Sequence, residues 1–171
     1  MFYFNLDHAK IAYQIAGLIN SYNNLGRKRT VNDILHGKTD YIVEVHGKWV
    51  LGAVGVDRQS YTFTELKHVV VHPEWRGKGL AKSLVDRALK IVSTRMVYCT
   101  VREDNIASLK LFESYGFSVA GEYPAEDHKV IILARVAPQW KHSTSGLGPK
   151  SKSNWLDAET MARAAFTSTQ R

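Results

Sequence analysis

At 171 residues, with 44% hydrophobic and 23% charged side chains, the chain is long enough for one domain with a substantial core and has the composition of a soluble globular protein. No apolar run approaches the ~20 residues of a membrane-spanning helix and the start lacks a signal-peptide core, so a cytoplasmic protein without membrane contact is expected. The net charge of +7 favours anionic partners, a single cysteine excludes an internal disulfide, and seven histidines without metal-ligand spacing predict no metal.

In chain order, Phe2-Tyr3-Phe4 reads as a short first strand and Asp7 as the cap of a helix. Ile11, Ala12, Ile15, Ala16, Leu18 and Ile19 recur at spacings of three and four, giving that helix one apolar face. Gly26-Arg27-Lys28-Arg29 is a basic turn, and Thr30-Val31-Asn32-Asp33 is a capping-box variant that starts a short helix stopping at Gly37. Tyr41 to His46, Trp49 to Val56 and Tyr61 to Val71 are β-rich runs forming an antiparallel meander, the first two joined by a Gly-Lys turn.

A helix over 80–94 follows, with Leu80, Leu84, Ala88 and Ile91 on one side and Val85, Leu89 and Val92 beside them. Then come a strand over 96–101, a helix over 105–115, Gly116 as its left-handed terminator, and a strand over 117–122. The run 129–136 is apolar enough to be a strand buried on both faces, and Cys99 reads as a small buried thiol without a catalytic role. Composition changes at Pro138: residues 137–171 read as a basic Ser/Gly/Lys-rich extension with a short helix over 157–166, distinct from a folded domain over 1–136.

The chemistry concentrates where the meander meets the next helix. Val69-Val70-Val71 is a β-branched run, Pro73 ends it, and Gly77 and Gly79 open the helix at Leu80. The first amides of a helix lack intrahelical partners and sit at the positive end of its dipole, so a glycine-relaxed turn there suits an anion such as a pyrophosphate. Arg76, Lys78 and Lys82 add positive charge.

Arg76-Gly77-Lys78-Gly79-Leu80-Ala81 fits neither a Walker loop nor a dinucleotide fingerprint. It resembles the Arg/Gln-x-x-Gly-x-Gly/Ala signature of the GNAT superfamily of acyl-CoA-dependent N-acetyltransferases. Asn105, Leu111, Glu113, Gly116 and Phe117 match that family's second signature, so the resemblance covers about residues 65 to 123 in the right order.

The resemblance implies a mixed, mostly antiparallel α/β (or α+β) sheet of six to seven strands flanked by about four helices. It implies acetyl-CoA as cofactor and an amine as acceptor. Val69 and Val71 would bond the pantetheine arm through their main chain. Arg76, Gly77, Lys78, Gly79, Leu80 and Ala81 would hold the pyrophosphate, with Asn105 and Ser108 assisting. On a regular strand Glu65, Lys67, Val69 and Val71 share one face, opposite Leu66, His68 and Val70. Glu65, eleven residues before Arg76, stands where histone-type members carry the glutamate that deprotonates the amine.

The tyrosine that protonates the departing thiolate in many members is replaced by Phe112, which has no proton to give. Tyr115, three residues on but displaced around the helix, is one candidate acid beside Ser108, Tyr98, Tyr123 and His128, and a thiolate is also a fair leaving group without a dedicated acid. Two other functions compete: a CoA-binding protein without turnover, and a nucleic-acid-modifying enzyme using the basic aromatic residues 141–155. A homodimer is compatible with the family.

Overall fold

The computed structural model describes residues 7–23 and 25–137; the first-strand reading at Phe2-Tyr3-Phe4 and the extension beyond Ala137 lie outside them. Among the described residues there are six strands and four α-helices, a mixed α/β architecture within the range expected. No described helix is long and apolar enough to cross a membrane. The chain divides after Val92 into two compact units.

The first unit opens with α1 (His8–Tyr22), whose cap Asp7 accepts from the amide of Ala9 at 3.1 Å. Its buried stripe is Ala12, Ile15, Ala16, Leu18 and Ile19, as the periodicity predicts. In α2 (Val31–His36), Thr30 and Asp33 form a reciprocal capping box. Strands β1 (Thr39–His46), β2 (Trp49–Arg58) and β3 (Phe63–Val71) pair in that order, antiparallel. The β1–β2 turn uses Gly47 at φ +58°. Tyr41, Val43, Val45, Val50, Ala53 and Val70 line the sheet face that packs on α1 and α2.

A short 3-10 turn (Pro73–Trp75) leads to α3 (Leu80–Ile91), which buries Leu84, Val85, Ala88 and Leu89. This helix is three residues shorter than the pattern 80–94 suggests. Val92 leaves helical geometry at ψ 126° and is buried from there, which strands Ile91 on the surface at 59% exposure. Ile91 therefore does not belong to the apolar stripe.

The second unit contains β4 (Met96–Arg102), α4 (Ile106–Ser114), β5 (Ser118–Pro124) and β6 (Lys129–Val136), its strands ordered β4-β6-β5 and antiparallel. Only the middle of β6, Ile132 to Ala134, is buried; its ends are half-exposed, so burial on both faces holds for three residues of the run. Gly116 at φ +75° terminates α4 as expected. Its amide bonds the carbonyl of Glu113 at 2.8 Å and that of Phe117 bonds Phe112 at 3.2 Å, the pairing of a Schellman motif. Cys99 is buried and forms no disulfide.

Candidate active site

The loop between β3 and α3 takes the conformation its glycines allow. Gly77 and Gly79 have φ of +74° and +81°, a region that costs any residue with a Cβ, and no atom lies within 4 Å of where either Cβ would stand. Gly79 is the N-cap of α3, and having no side chain it leaves the first-turn amides uncapped. Gly77, Lys78 and Gly79 are exposed and Leu80 and Ala81 half-buried.

Arg76 plays a structural part as well as adding charge. Its Nε donates to the carbonyl of Val71 at 3.1 Å, and its guanidinium lies 5.3 Å from the ring of Tyr22. Lys78 stands 4.5 Å over the ring of Trp75.

Strand β3 is not regular, and this corrects the face assignment. Gly55 pairs with Lys67 but Ala53 pairs with Val70, so His68 and Val69 together oppose Val54 in a β-bulge. His68 sits at φ +54°, unusual for a residue with a side chain. The extra residue shifts the alternation: Glu65, Lys67 and Val70 share one face, while Val71 joins Leu66 on the other. Val71 thus does not share Glu65's face; the methyl groups of Val71 and Leu84 both crowd the position a Cβ on Gly52 would take, at 3.3 and 3.1 Å.

The face bearing Glu65 carries a buried polar cluster. Asp57 and Glu65 are each 6% exposed, which charged carboxylates tolerate only when partnered. Lys67 Nζ forms an ion pair with the Asp57 carboxylate and lies 3.6 Å from Glu65 Oε2. Thr39 donates to Asp57 at 3.3 Å and Gln59 Nε2 to Glu65 at 3.4 Å. Gly55 leaves room for this arrangement, since a Cβ there would meet Thr39 Cγ2 at 2.7 Å and Lys67 Cγ at 3.3 Å.

One turn of the bulge further on, His68 Nδ1 and the Tyr41 hydroxyl are 2.7 Å apart, with the rings parallel at 6.0 Å. Burial pushes the Tyr41 phenol up to about 12. Burial, reinforced by the positive charges of Arg29 and Lys67, holds the His68 imidazole down at about 3. At neutral pH this is one hydrogen bond between a protonated phenol and a neutral imidazole.

In the second unit, Asn105 caps α4, its Oδ1 accepting from the amide of Ser108 at 3.1 Å. The two motif residues are therefore joined by a hydrogen bond. Phe112 is 2% exposed and packs edge to face on Phe117 at 5.2 Å, the hydrophobic contact that accompanies the Schellman motif. That role explains a phenyl ring here. Tyr115 is the C-cap of α4, half-buried, and its carbonyl accepts from Arg135 Nη1.

The Tyr41–His68 pair beside this cluster escapes a reading of the sequence. The available signal was the pair Gly52 and Gly55 inside one strand, because glycines there mark bulges and close approaches.

Comparison with known proteins bears on the family and the fold. The model of the acetyltransferase (GNAT) family matches residues 12–117. N-alpha-acetyltransferase RimI of Mycobacterium tuberculosis is 32% identical over 84 residues, 47% of this chain and 53% of that protein. Spermidine N(1)-acetyltransferase of Vibrio cholerae is 29% identical over 91 residues, 50% of this chain and 53% of that protein. The chain spans about half or less of the length of the curated relatives it matches. Among solved structures, the acetyltransferase YncA of Salmonella typhimurium with acetyl-CoA superposes with a TM-score of 0.65 at 19% identity, over 77% of this chain and 90% of that one.

Proposed function

We propose, since the chain belongs to the acetyltransferase (GNAT) family, that it transfers an acetyl group from acetyl-CoA to an amine by direct attack on the thioester. The observation that carries this reading is the uncapped start of α3 behind two left-handed glycines, an open cradle of amides at the positive end of a helix dipole. That cradle fits the pyrophosphate of CoA, with Gly77, Lys78, Gly79, Leu80 and Ala81 around it and Arg76 bracing the loop. The bulge at His68 and Val69 interrupts the β3 pairing beside it, which suits backbone groups of Val69 and Val71 to the pantetheine arm. In the second unit Asn105 and Ser108 would assist.

Acetyl-CoA supplies an acyl carbon activated by a thiol leaving group. Glu65 accepts the proton of the attacking amine, directly or through water, as the C–N bond forms and the C–S bond breaks. It is buried on the sheet face, with Lys67 and Gln59 beside it. Tyr115 is the proposed acid for the thiolate, because Phe112 is committed to the core. The names of the two curated relatives both specify transfer to an amine nitrogen, one at an α-amine and one on a polyamine, so the class of acceptor is shared and the individual acceptor is not.

Calorimetry with acetyl-CoA, followed by thiol release in the presence of an amine panel, tests the proposal. Binding with turnover supports it. Tight binding without thiol release for any amine favours a CoA-binding protein, and no binding at millimolar ligand removes the whole account.

The single buried thiol suits a reducing cytoplasmic setting. A nucleic-acid partner rests on residues 141–155, which lie outside the described residues. A salt-sensitive gel shift that disappears when 137–171 are deleted would support it. A homodimer is tested by light scattering.

A further inference from the structure

Strand pairing sets two carboxylates against each other. Asp57 on β2 and Glu65 on β3 are direct cross-strand partners, both buried, and like charges so placed repel. Lys67 stands two residues further along the same face, opposite Gly55, and its side chain reaches back to the pair. Gly55 permits that reach, because a Cβ there would meet Lys67 Cγ at 3.3 Å.

The lysine is shared unequally. Its Nζ bonds Asp57 Oδ2 directly, whereas Glu65 Oε2 lies 3.6 Å away, within ion-pair reach and beyond a hydrogen bond. Thr39 donates to the same Asp57 oxygen at 3.3 Å, while Gln59 gives Glu65 a neutral amide donor at 3.4 Å. Arg58 and Thr64, the next pair along the strands, alternate to the opposite face. On the near side Asp33 is held by Arg27 and its own capping box, and Arg29, whose Nε is sealed from solvent without a hydrogen-bond partner, bears with Asp33 and Asp57 on Tyr41. Asp57 and Lys67 also bear on His68, in opposite senses.

We propose that Asp57 and Lys67 are positioning residues for Glu65. Asp57 holds the lysine ammonium at its own carboxylate, at a distance from Glu65 that keeps Glu65 ionised and leaves it able to take the proton of the attacking amine. This rests on the reading of Glu65 as the base. The two residues then have opposite effects. Without Asp57, Lys67 turns wholly to Glu65, and the tighter ion pair makes that carboxylate a weaker proton acceptor. Without Lys67, two carboxylates face each other across the strands with no cation between them, and Glu65 holds a proton more readily.

The test compares Asp57→Asn, Lys67→Met and the double variant, each in the full chain. The titration midpoint of the Glu65 carboxyl is read by carbon NMR, its signal assigned by its loss in Glu65→Gln. The midpoint should fall by about one pH unit or more in Asp57→Asn and rise by about as much in Lys67→Met. The double variant, which removes one charge of each sign, should lie between them. If Lys67→Met does not fold, the rise from Asp57→Asn to the double variant carries the same information. Thiol release from acetyl-CoA in the presence of an amine is the second readout. Asp57→Asn should slow it at every pH, whereas Lys67→Met should slow it in acid and recover as pH rises, both with acetyl-CoA affinity unchanged.

Midpoints that stay put, or move the same way in both single variants, overturn the inference. So does an Asp57→Asn rate equal to the parent's where Glu65→Gln is slow. Opposite shifts in a protein whose Glu65→Gln variant turns over like the parent, or in which no amine releases thiol, would leave the electrostatic arrangement standing and count against Glu65 as the base.

Discussion

Replacing Gly79 by alanine separates conformation from space. No atom stands within 4 Å of the added Cβ, so no clash arises, but φ is +81°. A left-handed residue with a Cβ costs about 1–2 kcal/mol. Restricting the unfolded chain returns about 0.4–1 kcal/mol, so the folded state should lose about 1 kcal/mol. Gly17 is the internal control, because it too has nothing within 4 Å but lies inside α1 with ordinary helical φ. There the same methyl group should stabilise by up to about 1 kcal/mol.

Urea unfolding of the two variants should therefore give shifts of opposite sign, separated by about 2 kcal/mol. Calorimetry adds the functional half. If the loop relaxes to negative φ, its amides turn away and CoA affinity should fall about ten-fold, equivalent to 1.4 kcal/mol, while Gly17→Ala binds normally. A Gly79→Ala protein as stable as the parent would refute the conformational argument. One that is destabilised yet binds CoA unchanged would refute the role given to the loop.

Glu65→Gln keeps the shape and hydrogen-bonding reach of the side chain while removing the base; turnover should drop by about 10²–10⁴ with CoA affinity intact, and an unchanged rate at neutral pH would dismiss Glu65 as the base. His68 is held at about 3 in the fold against 6.5 as its ordinary value, so the unfolded chain binds the extra proton between those limits. The stability it contributes is complete above pH 6.5 and lost as pH falls toward 3, and pH-dependent urea midpoints should fall less steeply in His68→Gln than in the parent. Thr30→Ala should cost about 1 kcal/mol in urea unfolding by opening the capping box of α2. Phe112→Ala should cost about 3–5 kcal/mol, whereas a loss below 1 kcal/mol would contradict its place in the core.

Local chemistry made much of this protein legible from the sequence. Asp7, the Thr30/Asp33 box, Gly116 and the paired glycines before Leu80 act through neighbours a few residues away, so their positions alone specify caps and turns. Periodicity likewise marked the buried stripe of α1.

Tertiary structure decided what depends on cross-strand partners. The bulge at His68 arises from how β3 aligns with β2, and one extra residue moved Val71 off the face of Glu65. No spacing within β3 records that shift. The meeting of Tyr41 with His68 across 27 positions and the unmatched Nε of Arg29 follow from the same three-dimensional register. Hydrogen bonds and charge act through space, so the uncapped glycine turn before α3 could be read along the chain, whereas the polar cluster on the face of Glu65 emerged only once the strands were paired.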